Sequence, residues 1–312
     1  MAGSCYNYAM INEIRVSAPA KINLHLAVGS SRPDGFHAIA SLFQAISLAD
    51  SVSISLDSSA IIHLDAACDC PVQKNTAYRA ASAFLAAASS GGLGRVPGVR
   101  ITIDKKIPMG AGLGGGSSDA ASTLKGLAAL LPGFVDDSTL FSLAASIGSD
   151  VPFFLGSACA AVAGRGELLS PVAARDDYAL LLVDPGFSIS TKDAYARLDE
   201  YRSAGGGAKC RPHDELEAEL AGFASSYRRE EPSSWGFRND FYDALGSSMP
   251  TLKACREAIL GQGAVFASMS GSGSAMYGVF ASAAEAYRAA LGLHGTMDSG
   301  VYFPLACLPD SI

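Results

Sequence analysis

The chain has 312 residues, of which 49% are hydrophobic and 17% are charged. This composition excludes an intrinsically disordered chain, and the length predicts two domains or one large α/β unit, of which we expect two domains. The net charge of −7 argues against a general nucleic-acid-binding surface. Any phosphate-binding site must therefore be local.

The cysteine pattern and the lengths of the apolar segments indicate the cellular compartment of the protein. There are seven cysteines, and the close pair Cys68 and Cys70 lacks a second pair or a His cluster of the kind that zinc sites use. Free thiols are therefore expected. Apolar runs stay below the roughly 18 residues of a membrane span, and only about 16 residues precede the first motif, too few for a targeting peptide. We expect a cytoplasmic monomer or weak homodimer that binds neither nucleic acid nor membrane.

The first half of the chain has an α+β pattern, with short β-branched or alternating segments followed by alanine-rich segments of helical period. The predicted strands are Ile14–Ala18, Ile22–Val28, Ser51–Leu56, Ile61–Leu64 and Val99–Asp104. The predicted helices are Asn75–Ser89, a serine-capped helix from near Ser117 to Leu131, and Asp137–Ile147.

The second half predicts a separate arrangement of sheet and helices. Its predicted strands are Tyr178–Val183, Ala264–Met269 and Ala275–Phe280, and its predicted helices are Asp214–Arg229, Asp240–Leu260 and Ala283–Leu291. The segment between Tyr201 and Trp235 contains a glycine triplet and a helix that is acidic at its start and basic at its end, which is typical of a solvated surface insertion. No chemistry is assigned to it.

A glycine-rich run, residues 108–118, leads directly into the serine-capped helix. Glycines allow successive backbone N–H groups to turn toward one anion, and a helix N-terminus adds its positive dipole end. The run therefore predicts a phosphate-binding loop.

Three other interpretations of this run compete with that one. Gly110, Gly112 and Gly115 match the dinucleotide fingerprint GxGxxG, but that motif needs its first glycine at the end of a strand, and five residues separate Asp104 from Gly110 here. A Walker loop needs a Lys after the glycines, and none follows. A flexible Gly/Ser linker is disfavoured because apolar residues at helical spacing follow directly.

Two further motifs complete an ordered set of three. Residues 17–23 (SAPAKIN) precede the glycine loop, and residues 270–274 (SGSGS) follow it between two predicted strands. The set resembles the signatures of the galactokinase, homoserine kinase, mevalonate kinase and phosphomevalonate kinase (GHMP kinase) superfamily. Residues 32–37 (RPDGFH), 41–44 (SLFQ), 148–154 (GSDVPFF) and 184–191 (DPGFSIST) are similar to the members that act on cytidine-diphosphate-linked methylerythritol.

This resemblance spans nearly the whole chain and implies an α+β fold of two domains. The N-terminal domain, residues 1–170, would have a left-handed crossover and carry the glycine loop, and the C-terminal domain, residues 171–312, would be ferredoxin-like. The site would lie in the cleft between them.

The resemblance also implies the reaction, which is transfer of the ATP γ-phosphoryl group to the 2-hydroxyl of cytidine-diphosphate-linked methylerythritol in the non-mevalonate isoprenoid pathway. Asp150 occupies the position of the catalytic base and Lys21 that of the lysine beside it. A carboxylate near a cation stays ionised and accepts the hydroxyl proton, while the cation stabilises phosphate charge. Mg²⁺ is expected with ATP, but no acidic pair identifies its ligands.

Other residues are assigned by the same resemblance. The residues expected at ATP are Asn75, Lys105, Pro108, Met109, Gly110, Ala111, Gly112, Leu113, Gly114, Gly115, Gly116, Ser117 and Ser118. Phe36 and His37 would stack on and hydrogen-bond the cytosine, Tyr195 would supply a second stacking ring, and Asn23 and Thr191 would bond substrate hydroxyls.

Two rival functions remain open. The first is a kinase that acts on another alcohol, such as homoserine or mevalonate, but those substrates have no nucleobase for residues 34–37 to recognise. A catalytically silent nucleotide-binding module would need neither Asp150 nor Lys21.

Overall fold

The computed structural model describes residues 12–31, 37–68, 70–207 and 212–309. Within these residues two β-sheets form, each covered by helices on one face, and the two sheets face one another across a shared apolar layer. The chain is thus of the α+β class that the sequence predicts.

The first sheet contains six strands in the order β3-β4-β2-β5-β6, and β1 also pairs with β2. Its strands are β1 (Glu13–Ser31), β2 (His37–Asp57), β3 (Ile62–Ala66), β4 (Gly98–Asp104), β5 (Cys159–Ala163) and β6 (Leu168–Pro171). The β3–β4 pair is parallel and the other pairs are antiparallel. Two short strands predicted near the N-terminus are one long strand, β1, and the predicted strand Ser51–Leu56 is the end of the long strand β2.

Four helices belong to this half: α1 (Thr76–Ser90), α2 (Gly115–Leu130), α3 (Asp137–Ile147) and α4 (Phe153–Gly156). Apolar side chains at helical spacing bury the inner faces of α1 and α2 against the sheet, among them Ala80, Phe84, Ala121, Leu124 and Leu127. The three helices predicted here are confirmed to within two residues at each end.

Irregular pairing of β1 with β2 accompanies a change in which side chains of β1 reach the helical side of the sheet. The pairing of β1 with β2 shifts between Pro19 and Ala20, and again between Asn23 and His25. Residues two apart in a strand normally share a face, but across the first shift Ala18 packs on the helical side and Ala20 does not. Ala20 and Ile22 therefore point into the apolar layer beneath the second sheet. Lys21 lies on the opposite face, toward the glycine loop.

The second sheet contains four antiparallel strands in the order β10-β7-β9-β8. They are β7 (Ala179–Asp184), β8 (Phe266–Met269), β9 (Met276–Phe280) and β10 (Asp298–Tyr302), and the helices of this half are α5 (Thr191–Ser203), α6 (His213–Arg229), α7 (Asp240–Ser248), α8 (Pro250–Gly261) and α9 (Ala283–Leu293). This strand order is that of a ferredoxin-like sheet, because β9 inserts between β7 and β8.

The single helix predicted over Asp240–Leu260 is wrong. The structure ends α7 at Ser248 and begins α8 at Pro250, with Met249 extended between them at φ −123° and ψ 90°. Proline lacks an N–H donor and excludes helical geometry at the preceding residue, whereas the first position of a helix accepts it.

Helix α6 lies on the first sheet, although it belongs to the second half of the chain. Its Leu216 and Leu220 are buried against small side chains of that sheet, among them Ala27, Ala40 and Ala161. Further along the helix, the Tyr227 hydroxyl donates to Gln44 Oε1 of β2 at 2.7 Å. The segment between Tyr201 and Trp235 is predicted to be a solvated surface insertion. Its helix α6 instead packs its inner face on the first sheet and exposes only its outer face to solvent. No helix in the described ranges combines the length and apolarity needed to cross a membrane.

Candidate active site

The glycine loop, residues 108–114, precedes α2 at the edge of the first sheet. Gly110, Gly112 and Gly114 have φ values of 67°, 81° and 72°, a left-handed backbone that side-chain-bearing residues rarely adopt. Alternation of left- and right-handed residues turns successive N–H groups to one side, where they bind anions. Helix α2 begins at Gly115 with Gly114 as its N-cap and no side-chain cap, so the prediction of a serine cap is wrong.

Three residues from two segments of the chain hold the carbonyl side of the loop. The Lys21 amide of β1 donates to the Leu113 carbonyl at 2.9 Å, and the Ala275 amide donates to the Ala111 carbonyl at 3.1 Å. Between them, Ser270 Oγ donates to the Gly112 carbonyl at 2.9 Å. Because the carbonyls are engaged behind the loop, its N–H groups are left on the opposite side.

A pocket of about 350 Å³ opens on that opposite side, which is within the range of small-molecule sites, roughly 300–1,000 Å³. Nearly all residues predicted at ATP line it, namely Asn75, Lys105, Pro108, Met109, Gly110, Ala111, Gly112, Leu113, Gly114, Gly115, Gly116 and Ser117. Ser118 does not, because it is fully buried inside the first turn of α2. The asparagine side chain also caps α1, accepting from the Ala77 amide at 2.9 Å.

Lys105 lies in this pocket between two carboxylates. Its Nζ donates to Asp50 Oδ2 at 2.5 Å and to Asp119 Oδ2 at 2.8 Å. Burial acts to lower the pKa of the Lys105 ammonium, but the two carboxylates outweigh it and the pKa lies above its ordinary value. Burial raises the pKa of the Asp119 carboxyl to about 7, opposed by Lys105 and reinforced by the Asp50 charge.

The predicted catalytic pair lies at the back of the glycine loop. Lys21 Nζ is 3.6 Å from Asp150 Oδ2, and the side chains are 5% and 32% exposed, respectively. The same Nζ donates to Asn23 Oδ1 at 2.6 Å and to the Gly112 carbonyl at 3.2 Å. Burial lowers the pKa of the Lys21 ammonium, and the nearby Asp150 carboxylate opposes that shift.

Asp150 is held in a tight turn between α3 and α4. The Val151 amide donates to the Gly148 carbonyl at 3.2 Å, and Val151 and Phe153 are fully buried beyond the aspartate. Phe153 packs edge-on against Phe43 of β2, with ring centroids 5.4 Å apart, and Lys21 Nζ lies 4.7 Å from the Phe43 ring centre. The Phe43 ring thus contacts both Lys21 and Phe153, the residue that packs beyond Asp150.

A second cluster, the His37–Tyr195 stack, lies near Asp150. The two rings are 4.9 Å apart and 21° from parallel, and His37 Nε2 is 3.5 Å from Asp199 Oδ2. His37 Nδ1 lies 3.1 Å from the Gly29 carbonyl. Burial, with the charges of Asp150 and Asp199, raises the pKa of Tyr195 to about 12. Phe36, the predicted partner of His37, lies outside the described residues.

The two residues predicted at substrate hydroxyls differ in exposure. Thr191 is exposed at the start of α5, with its Oγ1 3.2 Å from Ser272 Oγ of the last glycine-rich motif. Asn23 is 3% exposed, and its side chain is engaged by protein: Oδ1 accepts from Lys21 and Nδ2 donates to Ser41 Oγ at 2.9 Å. The structure brings Asn23 to Lys21, and Thr191 to the motif around Ser272.

Sequence reasoning misses the polar residues that support these groups. The motif around Ser270 predicts close backbone approach alone, yet the hydroxyl also accepts from the Asn23 amide at 3.3 Å. No motif singles out Asp50, Asp119 or Asp199. Asp119 gives a usable signal, because an acidic side chain in an otherwise small-residue helix start, next to a phosphate-binding loop, needs a cation nearby.

The described side chains around the pocket offer few ligands of the kind that Mg²⁺ prefers. In the ranges that the structure describes, no three His, Cys, Asp or Glu side chains converge on one point. Among the described residues, fewer than three such side chains would therefore hold a metal ion at any one point.

Comparison with known proteins agrees with this geometry. Residues 75–163 match the family described as GHMP kinases N terminal domain, and residues 222–298 match GHMP kinases C terminal. A 4-diphosphocytidyl-2-C-methyl-D-erythritol kinase of Thermus thermophilus is 40% identical, covering 88% of this chain and 90% of the relative. One from Treponema pallidum (strain Nichols) is 37% identical, covering 89% of this chain and 94% of the relative.

Two solved structures share the fold. A crystal structure of 4-(cytidine 5'-diphospho)-2C-methyl-D-erythritol kinase has a TM-score of 0.76 at 36% identity, covering 93% of this chain and 99% of that one. The homoserine kinase of Cytophaga hutchinsonii has a TM-score of 0.75 at 18% identity, covering 99% and 100%, and this likeness concerns the fold alone.

The two family matches and the paired sheets define the chain as a kinase of the GHMP superfamily. At 37–40% identity over almost the whole length of its relatives, it belongs to the 4-diphosphocytidyl-2-C-methyl-D-erythritol kinase family.

The contact between the glycine loop and Ser270 gives a first prediction. A Cβ at Gly112 would lie 2.2 Å from the Ser270 carbonyl oxygen, so Gly112→Ala must push the loop away from its support. We expect the variant to unfold at a lower temperature and to lose most of its affinity for an ATP analogue, measured by thermal denaturation and calorimetry.

Gly133→Ala is the matched control. Gly133 has a similar φ of 84°, and a Cβ there would meet nothing within 4 Å. Both variants carry the backbone penalty of a left-handed alanine, about 1–2 kcal/mol, but only the first displaces the loop. Equal ATP affinities in the two variants would show that the contact with Ser270 does not shape the nucleotide site.

Proposed function

We propose that this kinase transfers the γ-phosphoryl group of ATP to the 2-hydroxyl of 4-diphosphocytidyl-2-C-methyl-D-erythritol, a step of the non-mevalonate isoprenoid pathway. The observation that carries the proposal is the Lys21–Asp150 pair at 3.6 Å, directly behind an anion-binding glycine loop. The cytidylyl compound is named by the relatives and not by the geometry alone.

Asp150 is the general base of this proposal. Its carboxylate is one-third exposed and held by a buried turn, so a substrate hydroxyl has access to it while its position is fixed. As the new bond forms between the hydroxyl oxygen and the γ-phosphorus, the bond to the departing ADP oxygen breaks and the hydroxyl proton passes to Asp150. General-base assistance of this kind contributes about 10²- to 10⁴-fold in rate.

Lys21 has two roles in the same step. Its ammonium contacts the neighbouring carboxylate, and it offers positive charge to the oxygens of the transferred group as their charge redistributes. Asn23 and Phe43 hold the ammonium between the base and the loop. Mg²⁺ neutralises part of the polyphosphate charge when it is bound. We propose that phosphate oxygens and water supply most of its ligands.

The His37–Tyr195 stack is the proposed site for the cytosine. A stacked aromatic pair offers a flat face to a base, and a histidine nitrogen offers a hydrogen bond to its edge. The stack joins β2 to α5, so the base would bind where the proposed domains, residues 1–170 and 171–312, meet. Thr191, from the second of these domains, would bond a substrate hydroxyl.

A substrate comparison tests the function directly. Purified protein is supplied with Mg²⁺ and ATP, and ADP release is measured with 4-diphosphocytidyl-2-C-methyl-D-erythritol, homoserine and mevalonate in parallel. We expect turnover with the cytidylyl compound alone. Turnover with another alcohol would retain the kinase and overturn the substrate. Binding of ATP without turnover of any of the three would favour a silent binding module.

The general base is tested by Asp150→Asn, which keeps the shape of the side chain and removes its basicity. We expect kcat to fall by at least about 10²-fold, because proton acceptance is lost. The dissociation constant for ATP should stay within about twofold, since Asp150 does not line the nucleotide pocket. A variant with the kcat of the parent protein would remove Asp150 from the mechanism.

Base recognition is tested by His37→Ala, with His63→Ala as the control because His63 is an exposed residue of β3. We expect the His37 variant to raise KM for the cytidylyl substrate by about 10-fold or more, as loss of a hydrogen bond and a stacking partner implies. KM for ATP should not change. An equal loss for both substrates would place His37 outside the base site.

A further inference from the structure

The group formed by Asp50, Lys105 and Asp119 has an excess of negative charge beside the glycine-loop pocket. Two carboxylates share one ammonium, which leaves the three side chains with a net negative charge when all are ionised. Lys105 and Asp119 both line the pocket that the glycine loop borders. A polyphosphate bound to that loop would therefore lie beside a surplus carboxylate.

The hydrogen bonds distinguish the two carboxylates. Asp50 uses both oxygens: Oδ2 accepts from Lys105, and Oδ1 accepts from the backbone amides of Lys106 and Ile107 at 2.5 and 2.8 Å. Asp119 uses Oδ2 for Lys105, while its buried Oδ1 has no hydrogen-bond partner among the described residues. Protonation on this oxygen costs no existing hydrogen bond. At Asp50 both oxygens already accept hydrogen bonds, so a proton there would compete with existing donors.

The other charged groups around α2 do not alter this assignment. On β1, Lys21 points to Asp150 and to the Gly112 carbonyl. On α1, Arg79 donates to the carbonyls of Ser146 and Ile147. The acidic residue of α3, Asp137, is exposed, and α4 contains no charged residue. The charges that act on Asp119 are those of Lys105 and Asp50.

From this arrangement we propose that Asp119 is a positioning residue that takes up a proton when the nucleotide binds. The Lys105 ammonium, which pairs with two carboxylates before binding, then pairs with the Asp50 carboxylate and with the nucleotide. The proposal rests on the proposed ATP site. The ionised carboxylate holds the ammonium before the nucleotide binds. Protonation removes the negative charge nearest the incoming polyphosphate and leaves Lys105 with positive charge to share.

The sign of the pH dependence follows from linkage. A ligand that favours the protonated form binds with constant affinity below the pKa of the free protein and loses affinity above it. The pKa of Asp119 near 7 in the free protein sets where that loss begins. The dissociation constant should therefore rise by up to about tenfold per pH unit above that point, until the pKa of the complex is reached.

The test is calorimetric titration with a non-hydrolysable ATP analogue and Mg²⁺, at several values between about pH 6 and pH 9 and in two buffers of different ionisation enthalpy. The parent protein is compared with Asp119→Asn, in which the side chain is permanently neutral, and with Asp104→Asn, which neutralises an exposed carboxylate at the end of β4. Comparison with the Asp119 variant subtracts protons that belong to the analogue itself.

We expect the parent protein and Asp104→Asn to take up a fraction of a proton on binding above neutral pH, and to bind more weakly as the pH rises. Asp119→Asn should take up none beyond the analogue's own and should keep the parent's low-pH affinity throughout. Parallel pH profiles in all three proteins would overturn the proposal. Release of a proton from Asp119 on binding would also overturn the proposal, because release is the direction of proton exchange expected if Mg²⁺ contacts this carboxylate.

Two features keep the outcomes separate. Proton uptake by the parent protein is measured in two buffers and corrected for the titration of the free analogue, so it can be assigned even if Asp119→Asn fails to fold. Absence of analogue binding at every pH would overturn the proposed nucleotide site itself, whereas binding without the Asp119-dependent proton would overturn only the inference drawn from this group.

Discussion

The active site depends on the attachment of the glycine loop through its carbonyl groups. The loop has few side chains of its own, and left-handed glycines make its backbone adaptable, so external contacts must fix its shape. Lys21 of β1, Ser270 and Ala275 supply these contacts from both halves of the chain. The anion binding proposed for the front of the loop would thereby be coupled to the packing of the two sheets behind it. The proposed catalytic lysine is one of the residues that provide this support.

This arrangement explains why Lys21 carries so many constraints at once. Its amide holds the loop, its ammonium contacts Asp150, and its side chain lies on the loop side of β1 directly after the pairing shift at Pro19. Burial makes an isolated ammonium unfavourable, and its pKa falls as a result. The surrounding carboxylate, amide and aromatic groups offset that cost. A residue that bound substrate alone would not need such an environment.

The sequence predicts the parts that depend on local patterns. The alanine-rich helices α1 and α2 and the glycine loop follow from spacing and backbone freedom, and the structure agrees with them closely. The long strand β2 is recognisable only at its end because its first half is buried on both faces and lacks alternation. Helix α6 is misjudged because its polar composition does not reveal that Leu216 and Leu220 cover another sheet.

The residues that support the site are less predictable for a related reason. Their roles depend on partners far away in the chain, as with Ser270 beside Asn23 or Asp50 beside Lys105. A sequence motif contains the residues near the reacting atoms, whereas the charges that surround those residues are brought together only by the tertiary fold. The pocket that would receive a polyanion also holds a surplus carboxylate, Asp119, whose Oδ1 is buried without a hydrogen-bond partner among the described residues. The affinity of such a pocket for a polyanion depends on the proton occupancy of this carboxylate as well as on the N–H groups of the loop.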